Sequence, residues 1–336
     1  MNKCLIHIFY FEVSLPICSG LLMKNALFLI LFNLLCLMGF SQSNIRLNNY
    51  WENTYYINPA SIYSEYQSVA SVAGRTQWIG FPGAPNTGFI TATVRPYPKR
   101  HTQIGQFGLK AYFDKIGYTK RTYVSFSYSY SVKLKKNLLM NLGAAGSFQN
   151  ASYDMTKQNL GTIGDPAIYN TMNNQSNFNP DFGVEFVSKS FLVGAASQNI
   201  ISVLPKDNKL QTNTHFLYAM YREKTRNPVD FQYGICAIQN DNLTQFEFNI
   251  TGFINSNNYS DLFHLGVSYR TMREYGVSFG VDLGKFGKKS SNTCQLACRY
   301  EYNFTNIRQS SFGTPEILLI MKFGILPDCK CRELYK

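Results

Sequence analysis

From Thr122 to Leu134 the chain reads TYVSFSYSYSVKL, alternating apolar and polar residues. Side chains in a strand swap faces at every residue. Val124, Phe126, Tyr128, Tyr130, Val132 and Leu134 therefore share one face, and Tyr123, Ser125, Ser127, Ser129, Ser131 and Lys133 share the other. The same period recurs from Leu243 to Asn255, where Phe246, Phe248, Ile250 and Ile254 oppose Gln245, Glu247, Asn249 and Thr251. It recurs again from Thr293 to Phe304, where Cys294, Leu296, Cys298, Tyr300, Tyr302 and Phe304 oppose Gln295, Ala297, Arg299, Glu301 and Asn303. Alternation and turn residues together predict fourteen strands: 67–78, 86–96, 105–114, 121–134, 137–150, 180–188, 190–198, 213–223, 228–239, 243–255, 260–270, 274–284, 292–304 and 314–323. No helical periodicity interrupts them.

Two architectures share this alternation. In a soluble sandwich the apolar faces make the core; in an outer-membrane barrel they meet lipid and the polar faces line the lumen. Burying an unpaired Arg299 or Glu301 in a dry core would cost several kcal/mol, which a wet or hydrogen-bonded lumen avoids. Many of the segments have the nine or so residues that a tilted strand needs to cross a bilayer. The pattern predicts an all-β, transmembrane antiparallel barrel of about 14 strands over residues 67–323, with short periplasmic turns and longer extracellular loops.

Loop lengths and charge add an orientation. With the first strand running outward, the very short connections at Lys135-Lys136 and Ser188-Lys189 are periplasmic, and the longest, Ala151 to Asn179, lies outside. The same parity places Lys99, Arg100, Lys133, Lys135, Lys136, Lys189, Lys224, Arg226, Lys285, Lys288 and Lys289 on the periplasmic rim, where phospholipid headgroups or an acidic partner would meet them. Ordinary solvated turn lysines give the same pattern. The formal net charge of +12 is thus dispersed among turns. With no basic block or helical stripe, nucleic acid is not an expected partner.

Residues 23–41 read as a signal peptide: Lys24, then the apolar run ALFLILFNLLCLMGF, then Ser41-Gln42. Residues 1–22 precede a complete signal and are expected to be a mis-assigned start. Residues 42–66 are left as an N-terminal periplasmic or plug segment, and 324–336 as a tail. Cys236, Cys294, Cys298, Cys329 and Cys331 would remain after cleavage, an odd number that excludes a complete disulfide framework. Cys329-x-Cys331 has no histidine beside it, so neither a metal nor a cofactor is expected. The histidines are scattered, and HExxH, GxSxG and Walker patterns are absent, so the chain is not expected to be an enzyme. His264 and Asp282 fall on adjacent lumenal faces; a hydrogen-bonded interior histidine is preferred there to a hydrolytic site.

The most informative residues lie near the start of the barrel. INPAS (Ile57 to Ser61) begins a turn, and GRTQWIGFPGAPNTGF (Gly74 to Phe89) places Gly80, Pro82, Gly83 and Pro85 in a hairpin flanked by Trp78, which suits a membrane interface. YFDKIG (Tyr112 to Gly117) ends the third strand in an Asp-Gly turn. Together they resemble the PorP/SprF family of type IX secretion system membrane proteins. The family's Asn-Pro-Ala matches Asn58, Pro59 and Ala60. Its Arg-x-Gln-Trp and Gly-x-x-Gly-Ala-Pro-x-Thr signature matches Arg75, Gln77, Trp78, Gly80, Gly83, Ala84, Pro85 and Thr87. Its Asp-Lys-x-Gly matches Asp114, Lys115 and Gly117. The sequence departs at Ser61-Ile62, where an aromatic and small residues are usual, and in its Cys-x-Cys tail. The resemblance implies a non-enzymatic barrel in the outer membrane of a Gram-negative bacterium. Implied partners are periplasmic and outer-membrane secretion components and a large secreted adhesin exported or anchored for gliding motility. A passive or lipid-like transporter is the alternative, and a lipid-modifying barrel enzyme a third reading.

Overall fold

The pleat of alternating residues closes on itself. The structure is a computed structural model that describes residues 45–325 apart from 63–65, 97–103, 136, 154–174, 201–212, 224–226, 241–242, 257–258, 272 and 287–291. The strands are β1 (Tyr66–Thr76), β2 (Asn86–Val94), β3 (Ile104–Ile116), β4 (Thr119–Lys135), β5 (Leu138–Tyr153), β6 (Gln175–Val187) and β7 (Phe191–Gln198), followed by β8 (Thr214–Arg222), β9 (Val229–Asn240), β10 (Leu243–Ser256), β11 (Tyr259–Arg270), β12 (Glu274–Asp282), β13 (Thr293–Asn303) and β14 (Thr314–Ile325). Each pairs antiparallel with its sequence neighbours, and β1 pairs with β14, so the fourteen strands form a closed barrel. Closure leaves no edge strand, and every strand can satisfy its amides within the ring, as hydrocarbon requires.

The two faces separate as the alternation predicts. Along β4, Phe126 is 68 % exposed, while Ser125, Ser127, Ser129 and Ser131 are buried inside. Phe107, Phe178, Leu217, Val267, Val277 and Ile317 are likewise outside. A chain that shows such side chains on all its strands has its apolar surface against lipid. Cross-strand aromatic pairs brace that surface, including Phe107–Tyr128 at 5.1 Å and Tyr269–Tyr275 at 5.0 Å between ring centres.

Most strand ends shift by one to three residues from expectation, and two differences bear on the lumen. β6 begins at Gln175, not 180, because Gln175–Asn179 continue the ladder with Ala151–Ser147 of β5 while Phe178 points outward. The Asn-rich composition there marks a polar lumenal face instead of a loop. Asp114 lies inside β3 and faces the lumen, so the turn is Gly117-Tyr118 alone. The predicted signal peptide (23–41), the preceding segment (1–22) and the Cys329/Cys331 tail lie outside the described residues.

Connections after odd-numbered strands share one rim, which carries the Gly80/Gly83 turn and is called the motif rim. Those after even-numbered strands share the other, the lysine rim. Among the described residues, no helix is long and apolar enough to cross a membrane.

Candidate functional site

A lumen lined by serine, asparagine and charge would fill with water unless something else occupied it. Here residues 45–62 occupy it. Ile45 and Leu47–Trp51, then Asn53–Ile62, are buried within the ring. They form two short 3₁₀ turns, Asn48–Trp51 and Thr54–Tyr56, too brief to be stable alone. The segment starts by Arg75 and Gln245 near the motif rim and ends at Ser61 beside Gln106, near the lysine rim. It therefore crosses the lumen before the chain turns back into β1.

The wall holds its main chain at both ends and in the middle. Leu47 caps the first turn without a side-chain hydrogen bond. Both Glu316 carboxylate oxygens instead accept from backbone amides, Asn48 N and Asn49 N, each at 2.8 Å. A carboxylate at these open amides is a charge-assisted cap supplied by another strand. Arg75 donates to the Arg46 carbonyl and, at 3.1 Å, to Gln77 Oε1, with its guanidinium over the Phe89 ring. Further down, Lys110 Nζ donates to the Tyr56 carbonyl (3.2 Å), Gln198 Nε2 to the Ile57 carbonyl (2.8 Å) and Gln106 Nε2 to the Ser61 carbonyl (2.9 Å). Asn53 Nδ2 donates to Ser71 Oγ and Thr91 Oγ1, which are cross-strand neighbours on β1 and β2.

The Asn-Pro-Ala motif has its own seat. Asn58 Oδ1 accepts from Ala60 N at 2.9 Å, closing the turn that Pro59 pre-sets. Its Nδ2 donates to the Val184 carbonyl and to Tyr218 Oη, both at 3.0 Å. Tyr218 in turn donates to Glu185 at 2.8 Å. Gly143 and Gly183 face each other across β5 and β6 beneath this turn. A methyl group on Gly183 would fall 1.9 Å from Asn58 Oδ1, and one on Gly143 would fall 2.4 Å from Ala60 N. The absence of two side chains is what makes the notch. Gly108 makes room in the same way for the Tyr55 hydroxyl and Gly234 for the Trp51 ring.

A second cluster lies under Trp51. Its indole donates to Glu247 Oε1 at 2.8 Å. Arg299 reaches the same oxygen at 2.8 Å, and Arg270 meets Oε2 at 2.7 Å. Glu301 bridges both arginines, at 2.8 Å to Arg299 and 3.3 Å to Arg270, and Arg270 also pairs with Glu274. Arg299 and Glu301, which the alternation places on one face, pair with each other inside this larger network. His264 Nε2 lies 3.1 Å from Glu52 Oε1, and Gln295 donates to Glu52 Oε2 at 2.8 Å. Thus His264 engages the segment in the lumen. Among the described residues no group of histidine, cysteine and acidic side chains could hold a metal.

The remaining motif residues gather at the motif rim. Trp78 adopts φ +55°, with its amide on Thr314 Oγ1 at 3.2 Å. Gly80 and Gly83 also take positive φ, at +98° and +77°. Ile79 exchanges backbone bonds with Gly313 and Phe312, Gln77 N donates to the Pro85 carbonyl, Ala84 N to the Phe81 carbonyl and Gly117 N to the Gly83 carbonyl. Thr87 Oγ1 donates to Asp114 Oδ1 at 2.6 Å. Three turns are thereby tied into one platform. Motif residues in three separate stretches of sequence thus serve one object, the filled lumen and the rim above its start.

Lys133 and Lys135 are exposed on the lysine rim, as is Lys189. Lys99, Arg100, Lys136, Lys224, Arg226, Lys288 and Lys289 lie outside the described residues, as does the Lys285 side chain. Sequence reasoning missed Glu316, Glu247, Arg270, Lys110, Gln198 and the notch glycines. The signal it passed over was glycine at lumen-facing positions, as at Gly143 between Asn141 and Ala145.

A family model, described as type IX secretion system membrane protein PorP/SprF, matches residues 39–321. None of the curated proteins matches the sequence. Among solved structures, the toluene transporter TodX of P. putida superposes with TM-score 0.46 at 7 % identity, covering 80 % of this chain and 92 % of that one. A FadL homologue of Pseudomonas aeruginosa gives TM-score 0.45 at 10 % identity, covering 79 % and 91 %. The outer membrane protein Omp33 of Acinetobacter baumannii gives 0.43 at 9 % identity, covering 78 % and 99 %.

Proposed function

The chain belongs to the PorP/SprF family of type IX secretion system membrane proteins, and from that premise we propose that it is a non-enzymatic docking barrel of the secretion machinery. It is a component of that system in the outer membrane of a Gram-negative bacterium. Its role is to bind a large secreted surface adhesin on one side and periplasmic machinery on the other, for export or anchoring linked to gliding motility. The observation that carries this reading is the filled lumen: residues 45–62 occupy the space that a passive transporter would leave open. What remains for partners is the two rims. The motif rim is stiffened by hydrogen bonds among three turns, and the lysine rim presents Lys133, Lys135 and Lys189. A cationic rim suits an acidic periplasmic partner and the phosphates of the inner leaflet. The apolar outer face takes outer-membrane lipid.

Deleting the gene tests this. Loss of one large surface protein, with uptake of small solutes unchanged, is the expected outcome. Normal secretion with altered uptake would replace the reading by the transporter one. In the intact strain, Lys133→Glu/Lys135→Glu weakens co-purification with the periplasmic component; undiminished recovery would remove the lysine rim from the account.

A further inference from the structure

Three features of the lumen do not fit a permanent core. First, the ring of strand pairings is complete without residues 45–62, because β1 pairs directly with β14 and β2. Among the described residues no ladder joins that segment to the wall. Second, two charge clusters of the wall are paired within the wall itself. Arg270 and Arg299 are held by Glu247, Glu274 and Glu301, and Arg222 by Asp230 and Asp261. Removing the segment would expose these paired groups to water, and Glu316 and Arg75, which lose the segment's backbone, would be hydrated in the opened lumen. Third, the wall grips main-chain amides and carbonyls along the segment, through Glu316, Arg75, Lys110, Gln198 and Gln106, beside the side-chain bonds of Trp51, Asn53, Tyr55 and Asn58. Reading a main chain in this way, with shaped notches for a few side chains, is how a protein recognises a peptide.

We propose that the inner wall is a peptide-binding site, filled in cis by Ile45–Ile62, and that the barrel with this site empty is a water-filled pore. The ligand class is a short, irregular peptide with two aromatic residues just before an Asn-Pro-small turn. The Gly143/Gly183 notch selects the turn, because any side chain at either glycine would occupy the position of Asn58 or Ala60. Glu316 selects the free amides at the other end. The proposal does not depend on the secretion reading, since a barrel with any other partner would carry the same seat.

The test uses the full chain in planar lipid bilayers. The native protein is expected to be electrically silent. Trp51→Ala/Asn58→Ala leaves every wall residue in place but removes the indole bond to Glu247 and the amide bonds to Val184 and Tyr218, and it is expected to show stepwise conductance. A synthetic peptide of residues 45–62 then closes those steps, and the same peptide with alanine at the Asn58 position closes them about tenfold less tightly or worse, as the loss of two hydrogen bonds requires. A folded, heat-modifiable variant that stays silent overturns the proposal. So does a conducting variant that the native peptide fails to close. Hydrogen exchange on the unaltered protein tests it without any substitution. Amides of Asn48–Ile62 exchanging together and ahead of the strands support it, and exchange no faster than the barrel ladder overturns it.

Discussion

Glu247→Ala lowers the unfolding free energy of the lipid-embedded barrel by about 3–5 kcal/mol, the range for removing one partner of a buried charge cluster. Glu247 is 0 % exposed and takes one indole and two guanidinium partners. Alanine leaves Arg270 and Arg299 sharing Glu301 and Glu274, inside a lumen where water is displaced by Trp51. Glu247→Gln keeps an acceptor for the indole and the arginines but loses the charge, so it falls between the two. Glu274→Ala, at the strand end and partly exposed, costs less than either. Urea unfolding in lipid vesicles reads all three. A Glu247→Ala barrel within about 0.5 kcal/mol of the native one, the scatter of ordinary surface changes, would mean that the network is already open to water.

The second large effect is on the outside. Phe126 sits near the middle of β4 and Tyr118 in a turn at the motif rim, and both are exposed. In water, arginine would be tolerated equally at the two positions. In a bilayer the cost depends on depth, so Phe126→Arg costs about 2–4 kcal/mol and Tyr118→Arg about 0–1 kcal/mol. Equal small costs would contradict lipid on the outer face. The comparison separates burial in hydrocarbon from simple loss of a phenyl group when Phe126→Leu is measured alongside, since leucine keeps the surface apolar.

The barrel was legible because its physics is local and repetitive. Alternation in Thr122–Leu134 placed Phe126 outside and Ser125 to Ser131 inside, and all fourteen segments form strands. Strand ends were less legible. In Gln175–Asn179 a polar lumenal face and a polar loop have the same composition, and only pairing with β5 distinguishes them. Residues 42–66 could be read only as a periplasmic or plug segment, and the contacts of the lumen's occupant were not legible. Its hydrogen bonds join residues as far apart as Trp51 and Glu247, 196 positions, or Asn48 and Glu316, 268 positions, and no periodicity encodes them. Even so, the motifs singled out in the sequence are where this contact is made. Arg75 belongs to the signature, and its partner is the Arg46 carbonyl of the segment in the lumen. Asn58, a turn starter by sequence, also donates to the wall. The one cue present in the sequence was glycine on the lumenal phase of a strand, where a small polar residue would otherwise serve.

The claim on which the rest turns is that residues 45–62 pass through the ring instead of hanging from it. Asn53 and Ser71 give the most direct check, because Asn53 Nδ2 lies 2.8 Å from Ser71 Oγ while both residues are buried. In Asn53→Cys/Ser71→Cys, oxidised in intact outer membranes and digested after alkylation, mass spectrometry is predicted to find the two peptides joined in most of the folded protein. Two freely alkylated thiols in a folded barrel, with no joined peptide, would contradict the account.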